Sequence, residues 1–139
     1  MSVDSCALCQ DSSYPILWNN RQFRIILVND QGLKGYCRLE TIKHIKEISD
    51  LSETDFSQLF NILKIVEKAL ILVFRPEKIN LASLGNQTPH LHWHIIPRFL
   101  NDSFYPNSIW GKKNRNFNQM TTTEEISKVT DYLNHHLNF

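Results

Sequence analysis

The chain has 139 residues, with 15 Lys and Arg against 14 Asp and Glu, a net charge of +1. That length suits one folded domain with a real core, and the balanced charge excludes a polycationic nucleic-acid binder and an acidic tail protein. Hydrophobic residues make up 42% and charged residues 21%, which is ordinary globular usage.

A short strand is predicted near Ile16 to Trp18 and a second over residues 23–28, ended by Asn29-Asp30-Gln31-Gly32. Residues 35–43 form its hairpin partner, although Gly35 and Glu40 fit a strand poorly. A helix opens at Ser52, a good N-cap, with Asp55 in the place of the usual capping-box Glu or Gln. Phe56, Leu59, Phe60, Leu63, Val66 and Leu70 follow at helical spacing. The helix must stop before Pro76, because the residue ahead of a proline is pushed out of the helical region. Strands at Lys78 to Leu84 and His90 to Phe99 come next, separated by the turn Gly85-Asn86-Gln87-Thr88-Pro89. A last helix, within about 121–137, opens at Thr122, and Glu125 completes its capping box. Two helices and about five strands, close in sequence, predict an α+β fold with an antiparallel sheet, as a single domain over 1–139.

The longest apolar run, Ala69 to Phe74, is far short of the roughly 18 residues of a membrane span. Met1-Ser2-Val3-Asp4-Ser5 has neither the basic start nor the apolar stretch of a signal peptide. A cytoplasmic location with no membrane partner is the expectation. In that compartment Cys6 and Cys9, in Cys-x-x-Cys spacing, point to metal or redox chemistry before a disulfide. Cys37 reads as a small buried hydrophobe.

The informative segment is His90-Leu91-His92-Trp93-His94-Ile95-Ile96-Pro97-Arg98. Side chains alternate faces along a strand, so His90, His92 and His94 share one face while Leu91, Trp93 and Ile95 turn to the core. Four readings compete: surface histidines, a three-His catalytic metal site that activates water, a nucleophile with supporting imidazoles, and a division of labour. In the fourth, Cys6, Cys9, His44 and His90 close a Cys2His2 metal site and another histidine does the chemistry; the Cys-x-x-Cys pair favours it. Arg98, Lys112, Lys113 and Arg115 form either a basic rim or a solvated loop. Trp110 and Tyr105 either close over a base or a dimer partner or pack under a loop. Phe23 and Ile25 read as core, and His135 and His136 as exposed.

The run His-Leu-His-Trp-His-Ile-Ile resembles the signature of the histidine triad (HIT) superfamily, and Pro97-Arg98 and the segment Asn80 to Pro89 extend the match. The order of Cys-x-x-Cys, hairpin, His, long helix, strand and triad strand also fits, so the resemblance covers about residues 6–100. Leu84-Gly85-Asn86 and Ser108-Ile109-Trp110-Gly111 look like a bacterial diadenosine-polyphosphate-hydrolase-like branch. The resemblance implies a HIT-like fold and a nucleotide hydrolase or nucleotidyl transferase acting at an α-phosphate through a covalent nucleotidyl-histidine. It makes His92 the nucleophile and His94 a catalytic residue on the phosphate or the leaving group. It places Asn80 on the phosphate, Gln87 where relatives touch the phosphate or the leaving group, and Asn29 where relatives hold the ribose hydroxyls with Asp. It puts a structural zinc on Cys6, Cys9, His44 and His90, and implies a homodimer, with no organic cofactor and no nucleic-acid partner. A catalytic metal on the triad, and a zinc-stabilised nucleotide-binding module with little turnover, stay open beside it.

Overall fold

Five strands form one antiparallel sheet in the order β1-β2-β3-β5-β4. In chain order they are β1 (Ile16–Asn19), β2 (Phe23–Leu27), β3 (Cys37–Thr41), β4 (Lys78–Ala82) and β5 (His92–Arg98). Two helices accompany them, α1 (Glu53–Phe74) and α2 (Thr123–His136). The computed structural model describes residues 3–138. Among these, no helix is long and apolar enough to cross a membrane.

Local chemistry sets the element ends. The Ser52 side chain accepts the Asp55 N–H at the start of α1, and Thr122 and Glu125 form a reciprocal capping box at the start of α2. Arg75 closes α1 ahead of Pro76, but in the left-handed region, with φ of 50°, rather than extended. Its N–H reaches back to the Ile71 carbonyl, the bond that an αL cap supplies.

The core lies between the sheet and the helices. Leu59, Ile62, Leu63, Val66, Ala69 and Leu70 of α1 meet Phe23, Ile25, Leu39 and Ile95 of the sheet, and Val129 and Leu133 of α2 close the layer. Phe23 and Ile25 are therefore core, as read. Phe56 and Phe60 leave the expected stripe: they are half-exposed, and Ile62 and Ala69 are buried instead. The helix is rotated so that Phe60 lies edge-on to Trp93, 5.7 Å between ring centres.

The triad strand starts at His92, not His90. His90 lies in the entering turn, where its N–H donates to the Thr88 carbonyl. That turn frees the His90 ring to leave the strand face, and the site depends on it.

Candidate functional site

The sheet register decides which side chains meet on the face away from the helices. Cα partners in neighbouring strands share a face. Arg24 pairs with Glu40 and Ile26 with Arg38. Arg38 pairs with His94 and Glu40 with His92. On the other side, Ala82 pairs with His94 and Asn80 with Ile96. His92 and His94 are thus flanked by Arg38 and Glu40 on β3 and by Asn80 and Ala82 on β4.

The two imidazoles are held in defined tautomers. His92 donates Nδ1–H to the His90 carbonyl at 2.6 Å, which leaves Nε2 with its lone pair. Tyr36 Oη lies 2.6 Å from His94 Nδ1. The hydroxyl has no other partner among the described residues, so it donates to Nδ1, and the His94 proton resides on Nε2. Burial pushes the Tyr36 hydroxyl up to about 12, so it stays a donor. His94 is pushed down to about 4, by burial first and then by the charges of His92 and Arg38. It is neutral at physiological pH. The two rings stand edge to face at 5.0 Å.

A buried ion triad lies under this pair. Glu40 is 1% exposed. One carboxylate oxygen accepts Arg24 Nε at 2.6 Å and the other accepts Arg38 Nε. Arg24 spends both outer nitrogens on the carbonyls of Gln10 and Leu8, at 3.1 and 3.0 Å, and so ties the N-terminal segment to the sheet.

Arg98 is not part of a basic rim or a solvated loop. It is 2% exposed. Its Nε and Nη2 donate to the Asp102 carboxylate at 2.9 and 3.0 Å, its Nη1 to Asn80 Oδ1 at 2.9 Å and its Nη2 to the Asn107 carbonyl at 2.7 Å. Burial alone would raise Asp102, but Arg98 and the N–H groups of Phe99, Phe104 and Tyr105 hold it below the usual carboxylate range. This knot fixes the following loop across the face. Phe104 and Ile109 pack on Ile26, Val28, Leu33, Tyr36 and Ile96. Half-exposed Trp110 stands 4.9 Å from the His94 ring. Trp110, Ser108, Asn80 and Ala82 border a cavity of about 490 Å³.

Of the residues expected on substrate, the structure groups His92, His94 and Asn80. With its carbonyl oxygen on Arg98, Asn80 keeps its NH2 without a partner among the described residues, on the site face. Asn29 and Gln87 are exposed, and no described contact joins either to the histidines. Asn29 lines a separate cavity of about 290 Å³ with Asp30, Gly32 and the segment 118–121. Sequence reading missed Tyr36, Arg38 and Glu40 as site residues. The available signal was strand parity: Arg38 and Glu40 are the even positions of β3, whose odd positions Cys37 and Leu39 join the core, and Tyr36 directly precedes the strand on the same parity.

A second cluster lies behind His90. His90 donates Nε2–H to the Thr41 carbonyl at 2.7 Å, so Nδ1 carries the lone pair. That atom lies 3.4 Å from both Cys6 Sγ and Cys9 Sγ, and His44 Nδ1 lies 3.1 Å from Cys9 Sγ. All four ligand atoms fall within 4.8 Å of one another, the one such cluster among the described residues. Zinc bonds of roughly 2.0–2.3 Å place tetrahedral ligand atoms about 3.3–3.8 Å apart. The donor set and its spacing therefore fit a closed tetrahedral metal site, and the Thr41 carbonyl supplies the outer hydrogen bond that aims a ligating imidazole. Burial pushes His90 below its usual range. Because its ring is turned to the cysteines, the three triad imidazoles do not converge on one point.

A family model described as the HIT domain matches residues 12–101. Among solved structures, a histidine triad protein from Bradyrhizobium japonicum is similar, with 25% identity and a TM-score of 0.72, covering 90% of this chain and 91% of that one. One from Marinobacter aquaeolei VT8 has 27% identity and a TM-score of 0.69, covering 89% and 88%. A zinc-bound histidine triad family protein from Mycobacterium smegmatis shares the fold at 14% identity, with a TM-score of 0.67 and 96% of each chain covered. No curated protein matches the chain.

Proposed function

The chain belongs to the HIT-domain family, a family of nucleotide-binding proteins and nucleotide hydrolases, and from that premise we propose that it cleaves a nucleoside phosphoanhydride or phosphoramidate at the α-phosphate through a covalent nucleotidyl-His92. The observation that carries this reading is the pair of fixed tautomers. His92, its Nδ1–H spent on the His90 carbonyl, presents Nε2 to the site, and His94 presents Nε2–H beside it.

The steps follow from those atoms. His92 Nε2 attacks phosphorus; the N–P bond forms as the bond to the leaving group breaks, and the leaving group takes the electron pair. A polyphosphate departs as its anion and needs no proton, whereas the nitrogen of a phosphoramidate takes one from solvent as it leaves as the amine. The imidazole becomes cationic, and its Nδ1–H bond to the His90 carbonyl strengthens with that charge. His94 Nε2–H and the free Asn80 NH2 donate to phosphoryl oxygens and stabilise charge without transferring a proton. Water then attacks phosphorus, the N–P bond returns its pair to His92, and one proton leaves to solvent. Neutral imidazole suits a phosphate centre because it meets no anionic repulsion, and two displacements split one high barrier.

Cys6, Cys9, His44 and His90 would hold a structural zinc. When bound, the metal supplies a cross-link between the N-terminal segment and the entry to β5, and no open position for chemistry. Support comes from the donor set, its spacing and the zinc-bound relative.

The test is intact mass under denaturing conditions after a brief acid quench with diadenosine tetraphosphate, with zinc quantified on the same samples. The expected result is an AMP-sized adduct that His92→Ala abolishes, with about one zinc per chain retained in both proteins and lost in Cys6→Ser. Turnover without adduct that a chelator stops would instead mean a metal hydrolase, and binding with neither adduct nor turnover would mean a binding module.

A further inference from the structure

The outer edge of one guanidinium on the site face has no protein partner. Arg38 donates to Glu40 through Nε alone. Its two outer nitrogens make no hydrogen bond among the described residues, and the side chain is 19% exposed. Arg24, on the same carboxylate, is fully used: Nε on Glu40 and both outer nitrogens on backbone carbonyls. One carboxylate between two guanidinium groups leaves one positive charge in excess. That charge is at Arg38, because only Arg38 reaches solvent with unspent donors.

Its position is set from three sides. Glu40 holds Nε from below. The Tyr14 ring lies 5.6 Å from the guanidinium carbon, and the Tyr14 hydroxyl is fixed on the Asp30 carboxylate at 2.9 and 3.0 Å. Asp30 makes no ion pair with Arg38, its carboxylate being engaged by Tyr14. The β3–β5 register sets Arg38 directly beside His94. A planar fork pinned at one nitrogen, with the other two presented together, matches two oxygens of one phosphate.

We propose that Arg38 reads a second phosphate of the substrate, distinct from the one His92 attacks, and so makes the site selective for doubly phosphorylated nucleotides. The inference rests on the phosphotransfer reading of the face. That second phosphate has two possible sources, the polyphosphate chain or a phosphate on the ribose.

The experiment is calorimetric titration of the whole protein with AMP, ADP and adenosine 3′,5′-bisphosphate. Wild type binds one of the latter two at least about tenfold more tightly than AMP, the range of a charge-assisted pair, and which of the two gains names the source. Arg38→Gln loses that advantage. Arg38→Lys, which keeps the charge without the fork, retains part of it and serves if Arg38→Gln does not fold. Lys112→Gln, which removes a charge from the exposed loop, keeps the advantage in full. The proposal is overturned if a second phosphate adds no affinity in wild type, or if the advantage survives in Arg38→Gln. If no nucleotide binds at all, the nucleotide reading fails separately. Inorganic tripolyphosphate then decides for Arg38: its affinity must fall about tenfold in Arg38→Gln, and equal affinity overturns the proposal.

Discussion

Acid exposes the cost of burying His94. The folded protein holds this ring down to about 4 against the usual 6.5, through burial first and then the charges of His92 and Arg38. As pH falls, an unfolded chain takes up the His94 proton near 6.5 and the folded chain only near 4. Between those values the unfolded state binds more protons, so stability declines as pH declines, and it is fully present only above about 6.5. Integrating over that interval, the loss between about pH 7 and about pH 5 is about 2 kcal/mol, a large part of the roughly 5–15 kcal/mol that holds a domain together. The assay is urea unfolding at both pH values for wild type and His94→Asn. The two proteins share every other ionisable group, so the difference between their two pH effects isolates His94. Wild type should lose about 2 kcal/mol more than the variant over that range. An equal loss in the two would refute the reasoning, since the penalty would then lie elsewhere.

Tyr36→Phe removes the donor to His94 Nδ1 and frees the ring tautomer; turnover should fall roughly tenfold or more, in kcat rather than KM. Nitrogen NMR of His94 checks the cause directly, by showing the proton no longer confined to Nε2. Glu40→Gln keeps the shape of the buried carboxylate but leaves Arg24 and Arg38 uncompensated; stability should drop by roughly 3–5 kcal/mol in urea unfolding, and a near-neutral result would mean that the triad is not a buried ion network.

The parts of the fold that were legible in sequence are those with a period or a cap. The triad strand alternates strictly, α1 has its 3.6-residue stripe and Ser52, and α2 has Thr122 with Glu125. The cluster of Cys6, Cys9, His44 and His90 was legible because Cys and His are rare and chemically specific. Arg38 and Glu40 were not legible for the opposite reason. Charge inside a strand reads as surface or as a weak strand, and only the cross-strand register reveals that one carboxylate serves two arginines. Tyr36 looked like part of a hairpin, since nothing local ties it to a histidine 58 residues away. Arg98 was misread because its partner, Asp102, lies in an irregular turn that no periodicity announces. Phe56 and Phe60 show the limit of spacing alone: a helical stripe fixes a face only to within the rotation that packing later chooses.

The Cys6–His90 contact bridges a sequence separation of 84, with a further ligand from His44 in between. Closing a loop of that size costs a flexible chain about 4 kcal/mol of entropy, growing only slowly with length. An early metal would have to bear that cost alone, before any strand had paired. Once β3 has found β5, the His90 turn and His44 are already neighbours, and only the short segment around Cys6 and Cys9 remains to be captured. A bound ion would therefore act as a latch on an assembled sheet and not as a folding nucleus. A chain starved of metal should still build its five strands at the normal rate, and then leave residues 6–10 and the Arg24 carbonyl contacts to open and close.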